Sequence, residues 1–195
     1  MTAAITALMV VVLAASGCAR YTGNARPIAP AQVQAESGWI VVPPTPTVSQ
    51  RKLGDCGPAA LAMVAGRWQA AIDRESIPVT KEGVRLRVLR DHARAHGLIA
   101  YAIEGDRGVL EHEIRSGRPV MIGLLRPYGD RKLAHFEVVI AMRTRGASGE
   151  FITIDPGRPK DRGWQVRRWE DLDAEWRPAG RPALVVLGRA SHRPP

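Results

Sequence analysis

The sequence predicts an α+β domain, with helices gathered in its first half and an antiparallel sheet in its second. Three observations lead there. Apolar residues recur at helical spacing beside capping signals from Cys56 onward, over 80–95 and over 108–116. Three apolar runs, 119–125, 135–142 and 151–154, then follow in quick order. The connections between them are short and contain Gly, whereas a parallel crossover takes roughly a dozen residues or more. With a leader and a tail set aside, the 195 residues leave one domain large enough for its own core.

Residues 1–17 read as a signal peptide: no charged residue precedes Arg20, and the apolar stretch is shorter than the roughly 20 residues that span a bilayer. Residues 18–46 are rich in Ala, Pro and Gln and read as a semi-extended tether, in which only 38–42 looks strand-like and docks on the domain. The domain proper is expected over 47–188.

Asp55 is placed to cap a helix that takes Pro58 in its first turn and turns Leu61, Val64 and Trp68 inward. The 80–95 helix buries Leu86, Leu89 and Ala93 and ends at Gly97. A short strand is predicted over 98–103. Leu110 and Ile114 pin the 108–116 helix, which Gly117-Arg118-Pro119 stops. After the three strands come a small helix over 169–176 and a closing strand over 183–187; residues 189–195 read as a tail.

The net charge of +9 arises mostly from Arg, spread through every kind of element. No recognition helix, zinc-finger spacing or aromatic–basic interleaving accompanies it. Nucleic acid is therefore not the expected partner.

Cys56 begins the first helix, where unpaired N–H groups and the helix dipole stabilise a thiolate. The alternative is a small buried cysteine with no chemistry. A thiolate enzyme needs a base, and His135 lies at the head of a strand whose partner ends in Asp155. A hairpin folding about Arg145 and Gly146 brings these two nearly opposite each other, so that the carboxylate orients the imidazole. Equally, Asp155-Pro156-Gly157 reads as a turn. His92 and His96 stand four apart on one helix but lack the Glu of a zinc motif and a third ligand, so no metal site is expected. His112 and His192 read as solvated.

Taken together, Gln50-Arg51-Lys52-Leu53-Gly54-Asp55-Cys56-Gly57-Pro58, His135-Phe136-Glu137-Val138-Val139 and Asp155-Pro156 resemble the C39-type cysteine peptidases of the papain-like fold. That resemblance implies N-terminal helices packed on an antiparallel sheet, and a catalytic Cys56, His135 and Asp155 with Gln50 donating to the oxyanion hole. It implies a peptide or protein substrate and no cofactor. Relatives fused to export transporters cut leader peptides after Gly-Gly, so a Gly-Gly or isopeptide bond is the expected target. Ala15-Ser16-Gly17-Cys18 resembles the lipobox of bacterial lipoproteins, which implies acylation of Cys18 and a lipid-anchored place in the cell envelope. An ordinary secretory signal, with Cys18 free or bridged to Cys56, is the other reading. Two other functions stay open: a silent peptide-binding module on the same scaffold, and a cell-wall amidase or acyltransferase.

Overall fold

A computed structural model describes residues 21–145, 148–158 and 163–190. Its centre is an eight-stranded sheet in which every pairing is antiparallel. The strands are β1 (Arg26–Pro27), β2 (Ile40–Val41), β3 (Leu98–Glu104), β4 (Val120–Tyr128), β5 (Arg131–Arg145), β6 (Ser148–Ile154), β7 (Trp164–Arg168) and β8 (Pro182–Arg189). They lie in the order β1-β7-β6-β5-β4-β8-β3, with β2 joined to β5 off this path. The helices are α1 (Pro30–Ala35), α2 (Cys56–Arg67), α3 (Leu86–Ala95), α4 (Arg107–Arg115) and α5 (Trp169–Trp176). The predicted α+β class stands.

α2 is the most buried helix, with Ala59, Ala60, Leu61, Met63, Val64 and Ala65 all fully enclosed. It packs on β5 so closely that a Cβ on Gly57 would come within 3.3 Å of the Phe136 ring. α5 covers the opposite face, where its Glu175 meets Arg167 of β7, and Leu172 and Trp176 are completely buried. Strand alternation therefore splits β5 between two environments: Phe136 and Val138 face α2, and Glu137 faces α5.

The helix predicted over 80–95 begins only at Leu86. Residues 80–83 instead close a turn, in which Thr80 and Gly83 exchange backbone hydrogen bonds and Gly83 takes φ +95°. Gly is favoured there because it alone adopts positive φ without a Cβ clash. α4 starts as expected, since the Asp106 carboxylate accepts from the Val109 N–H at 2.8 Å.

Residues 26–42 are not a free spacer. β1 pairs with β7, β2 pairs with β5, and Ile28, Val33 and Val42 are buried. These apolar residues, set among prolines, have enough surface to dock although the composition around them reads as a linker. The terminal strand also runs on to Arg189, which pairs with Leu98. Residues 1–20, 146–147, 159–162 and 191–195 lie outside the described residues, and with them the predicted signal peptide, Cys18, the turn at Gly146, most of the tail and His192. Among the described residues no helix is long and apolar enough to cross a membrane.

Candidate active site

Cys56 occupies the first position of α2 and is buried. Asp55 precedes it but does not cap the helix with its side chain. Its carboxylate turns back instead, accepting from the Arg51 N–H at 3.1 Å with Arg74 Nη1 at 3.7 Å. This staples the loop between Gln50 and Cys56. At the other end of the loop, the Gln50 N–H donates to the Pro156 carbonyl at 2.8 Å, and Arg74 Nη1 donates to the Ser49 carbonyl at 3.1 Å.

His135 sits inside β5, opposite Leu124 of β4, rather than at the strand's start. The β5–β6 hairpin has Arg145 opposite Ser148, and its register shifts between Val139 and Ala141. Beyond that bulge Val138 faces Ile154, which puts Glu137 level with Asp155 and His135 two residues diagonal to it. Same-face diagonal neighbours are within reach of long side chains. His135 Nε2 accordingly lies 2.7 Å from Asp155 Oδ1. With Nε2 engaged, the ring nitrogen left for the hydrogen bond to the Cys56 thiol is Nδ1. Asp155 also heads a turn, its carboxylate accepting from the Gly157 N–H at 2.8 Å. Both readings of Asp155 are thus true of the same residue.

Electrostatics favour charge separation in this group. Burial pushes the Cys56 thiol up, but the hydrogen bond and charge of His135 and the backbone N–H groups of Phe136 and Gly57 outweigh it, and the net shift is downward. Burial works against protonated His135, yet the bonds to Asp155 and Cys56 raise it to about 9. Desolvation opposes the Asp155 carboxylate, and His135 and Arg126 more than compensate, holding it well below the usual carboxylate range. Cys56, His135, Asp155 and Gln50 all line one cleft of about 1010 Å³, whose walls include Val84, Leu124, Tyr128, Leu133 and Pro182. Gly157 lies between them. A Cβ there would stand 3.4 Å from His135 Cε1 and 3.7 Å from Gln50 Oε1.

The sequence profile described as the Peptidase C39 family matches residues 44–177. The chain belongs to the peptidase C39 family. Solved structures with the same fold include a double glycine motif protease from an AMS/PCAT transporter in complex with the leader peptide. It is 20% identical, with a TM-score of 0.56 over 75% of this chain and 93% of that one. Another is the peptidase domain of Streptococcus ComA, a bifunctional ABC transporter of a quorum-sensing pathway. It is 22% identical, with a TM-score of 0.55 over 73% and 97%. No curated protein matches this chain in sequence.

In this C39 family member, the cluster around Asp155 is larger than the motifs suggested. Arg126 of β4 donates to Asp155 Oδ2 at 2.5 Å and lies 3.1 Å from Glu137 Oε1. Arg167 of β7 bonds Glu137 at 2.6 Å and Glu175 at 3.0 Å. Gln165 donates to Asp155 Oδ2 at 3.3 Å, and Thr153 donates to Glu137 at 2.5 Å. Sequence reading passed over all of these. The available signal was period-two alternation, which turns Arg126, Glu137, Thr153, Gln165 and Arg167 to the same face of consecutive strands. His135, Glu137 and Asp155 do bring ligand atoms within 4.8 Å of one another. The guanidinium groups of Arg126 and Arg167 already neutralise those carboxylates, so the donor set fits an ion-pair network better than a metal. His92 and His96 stack with ring centroids 4.4 Å apart, away from the cleft.

Proposed function

We propose that this chain is a cysteine peptidase in which Cys56 attacks a peptide carbonyl, His135 protonates the leaving amine and then activates water, and Asp155 orients the imidazole. Gln50 and the Cys56 N–H hold the oxyanion. The observation that carries this reading is the hydrogen-bonded series Cys56–His135–Asp155 in an open cleft. A thiolate beside an imidazolium attacks without a separate deprotonation step, and donors aimed at the developing oxyanion then lower the barrier. A silent binding module would need none of this charge arrangement. A relative of the same fold is a double glycine motif protease that binds a leader peptide, so peptides carrying Gly-Gly are the first substrates to try.

The pH dependence of iodoacetamide alkylation tests this reading. Cys56 alkylation should titrate below the ordinary thiol value of about 8.5 and stay level until His135 loses its proton near 9. A single rise at or above about 8.5 would mark an inert cysteine and end the proposal. The His135 proton has a second consequence. Because its folded value exceeds the unfolded 6.5, it adds stability that is complete below that pH and is lost as pH rises through about 9.

The exported, lipid-anchored location belongs to the same proposal and rests on residues 1–18 alone. Cys18→Ala in the full chain should move the protein from the membrane fraction to the soluble fraction. Unchanged membrane retention would remove the anchor from the account.

A further inference from the structure

Arg126 is only 1% exposed, yet it joins the candidate active site to the beginning of the described chain. One end of its guanidinium holds Asp155 Oδ2 and Glu137 Oε1. Its flat face lies over the ring of Tyr21, with Cζ 4.0 Å from the centroid. Tyr21 in turn donates its hydroxyl to Glu175, whose other oxygen takes Arg167 Nη1 and stands 3.9 Å from Arg126 Nε. The arm carrying Tyr21 is fixed beside the cleft: the Thr22 N–H donates to the Pro127 carbonyl at 3.0 Å, and the Tyr21 ring meets Tyr128 edge-on at 5.9 Å. Tyr21 itself lines the cleft.

We propose that Arg126 is a positioning residue for Asp155, and that the N-terminal arm, through Tyr21, holds Arg126 in place, so that Asp155 and His135 are aligned with Cys56 for attack only while the arm is seated. This rests on the peptidase reading above. One nitrogen of the guanidinium, Nη1, meets both carboxylates, and the aromatic ring beneath confines the group while excluding water. Removing the ring lets solvent in and loosens the guanidinium, and Asp155 then loses its shortest contact on the oxygen not used by His135. The charged and titratable groups facing Asp155 are His135 and Glu137 from β5, Arg126 from β4 and Arg158 from the following turn, with Tyr128, Tyr21 and Glu175 behind Arg126. Among the described residues, only Arg126 combines direct contact with Asp155 and complete burial as a cation.

The sign of the effect follows from the charge. A cation near the pair makes loss of a proton easier from both Cys56 and His135, so removing it raises both values. Arg126→Met in the full chain should move both limbs of the Cys56 alkylation profile upward by about one pH unit, equivalent to about tenfold slower alkylation at a pH well below the first limb. It should lower kcat with little change in KM. Arg126→Lys keeps the charge and loses the planar group that rests on Tyr21, so the limbs should stay in place while kcat still falls. Tyr21→Ala should shift the limbs in the direction of Arg126→Met, and Tyr21→Phe, which keeps the ring over Arg126, should shift them less. Wild-type limbs and wild-type kcat in Arg126→Met would overturn the proposal. Should that variant fail to fold, wild-type limbs in Tyr21→Ala overturn it equally. Alkylation of wild-type Cys56 as an ordinary thiol is a different result, since it overturns the peptidase reading itself before any variant is compared.

Discussion

Cys56→Ala is expected to reduce cleavage of a Gly-Gly peptide by about 10⁴-fold or more, and His135→Ala to cost nearly as much, because nucleophile and base act as one unit. The double variant should then be scarcely worse than either single one. That non-additivity is the informative part. Two residues that merely supported the fold from α2 and β5 would lose activity only in step with a fall in melting temperature. Cys56 sits at the head of a helix whose next residues are fully buried, so an Ala there preserves the helix and removes only the sulfur. Retention of more than a tenth of wild-type cleavage by Cys56→Ala would exclude covalent catalysis at this position. Equal loss in both variants with a double variant far below them would instead indicate two separate roles.

How much of this was legible in the sequence depended on the range of the interaction concerned. Local signals carried far: Cys56 at a helix start, Gly97 at a helix end, and the hairpin that unites His135 with Asp155 all follow from patterns within a few residues. The register did not. Continued from Arg145 and Ser148, the register would set Asp155 opposite Val138; a bulge between Val139 and Ala141 shifts it level with Glu137, on the face of His135, and no turn residue announces it. β7 was missed because Gln165 and Arg167 flank Val166, so that the buried middle of the strand carries polar residues on one face. Those residues are tolerated only because partners arrive from β5, β6 and α5, which is non-local information. The same holds for 26–42. Its prolines and alanines describe a linker, but Ile28 and Val33 find a core that only the folded sheet provides. Buried charge also explains why Arg126 and Arg167 were invisible: each is a surface residue by composition and a structural one by pairing.

Gln50→Ala should lower kcat by about 10²- to 10³-fold with KM little changed, the loss typical of one oxyanion donor. The backbone of Gln50 is tied to Pro156 through its own N–H, and the loop to Cys56 is held by Asp55 accepting from Arg51, so truncating the side chain leaves the loop's anchors intact. The distinguishing control is alkylation. Iodoacetamide reacts with the thiolate by displacement and develops no oxyanion at a carbonyl. Cys56 in Gln50→Ala should therefore alkylate at close to the wild-type rate while acyl transfer falls steeply. A parallel drop in both reactions would mean that the 49–55 loop had moved and that Gln50 acts by holding Cys56 in place. A cleavage rate within about threefold of wild type would leave the Cys56 N–H and other backbone donors to stabilise the oxyanion, and would remove Gln50 from the chemistry. Gln50→Glu sharpens the comparison: it keeps the length of the side chain but replaces a donor with a carboxylate, which repels the developing charge and should be at least as damaging as Ala.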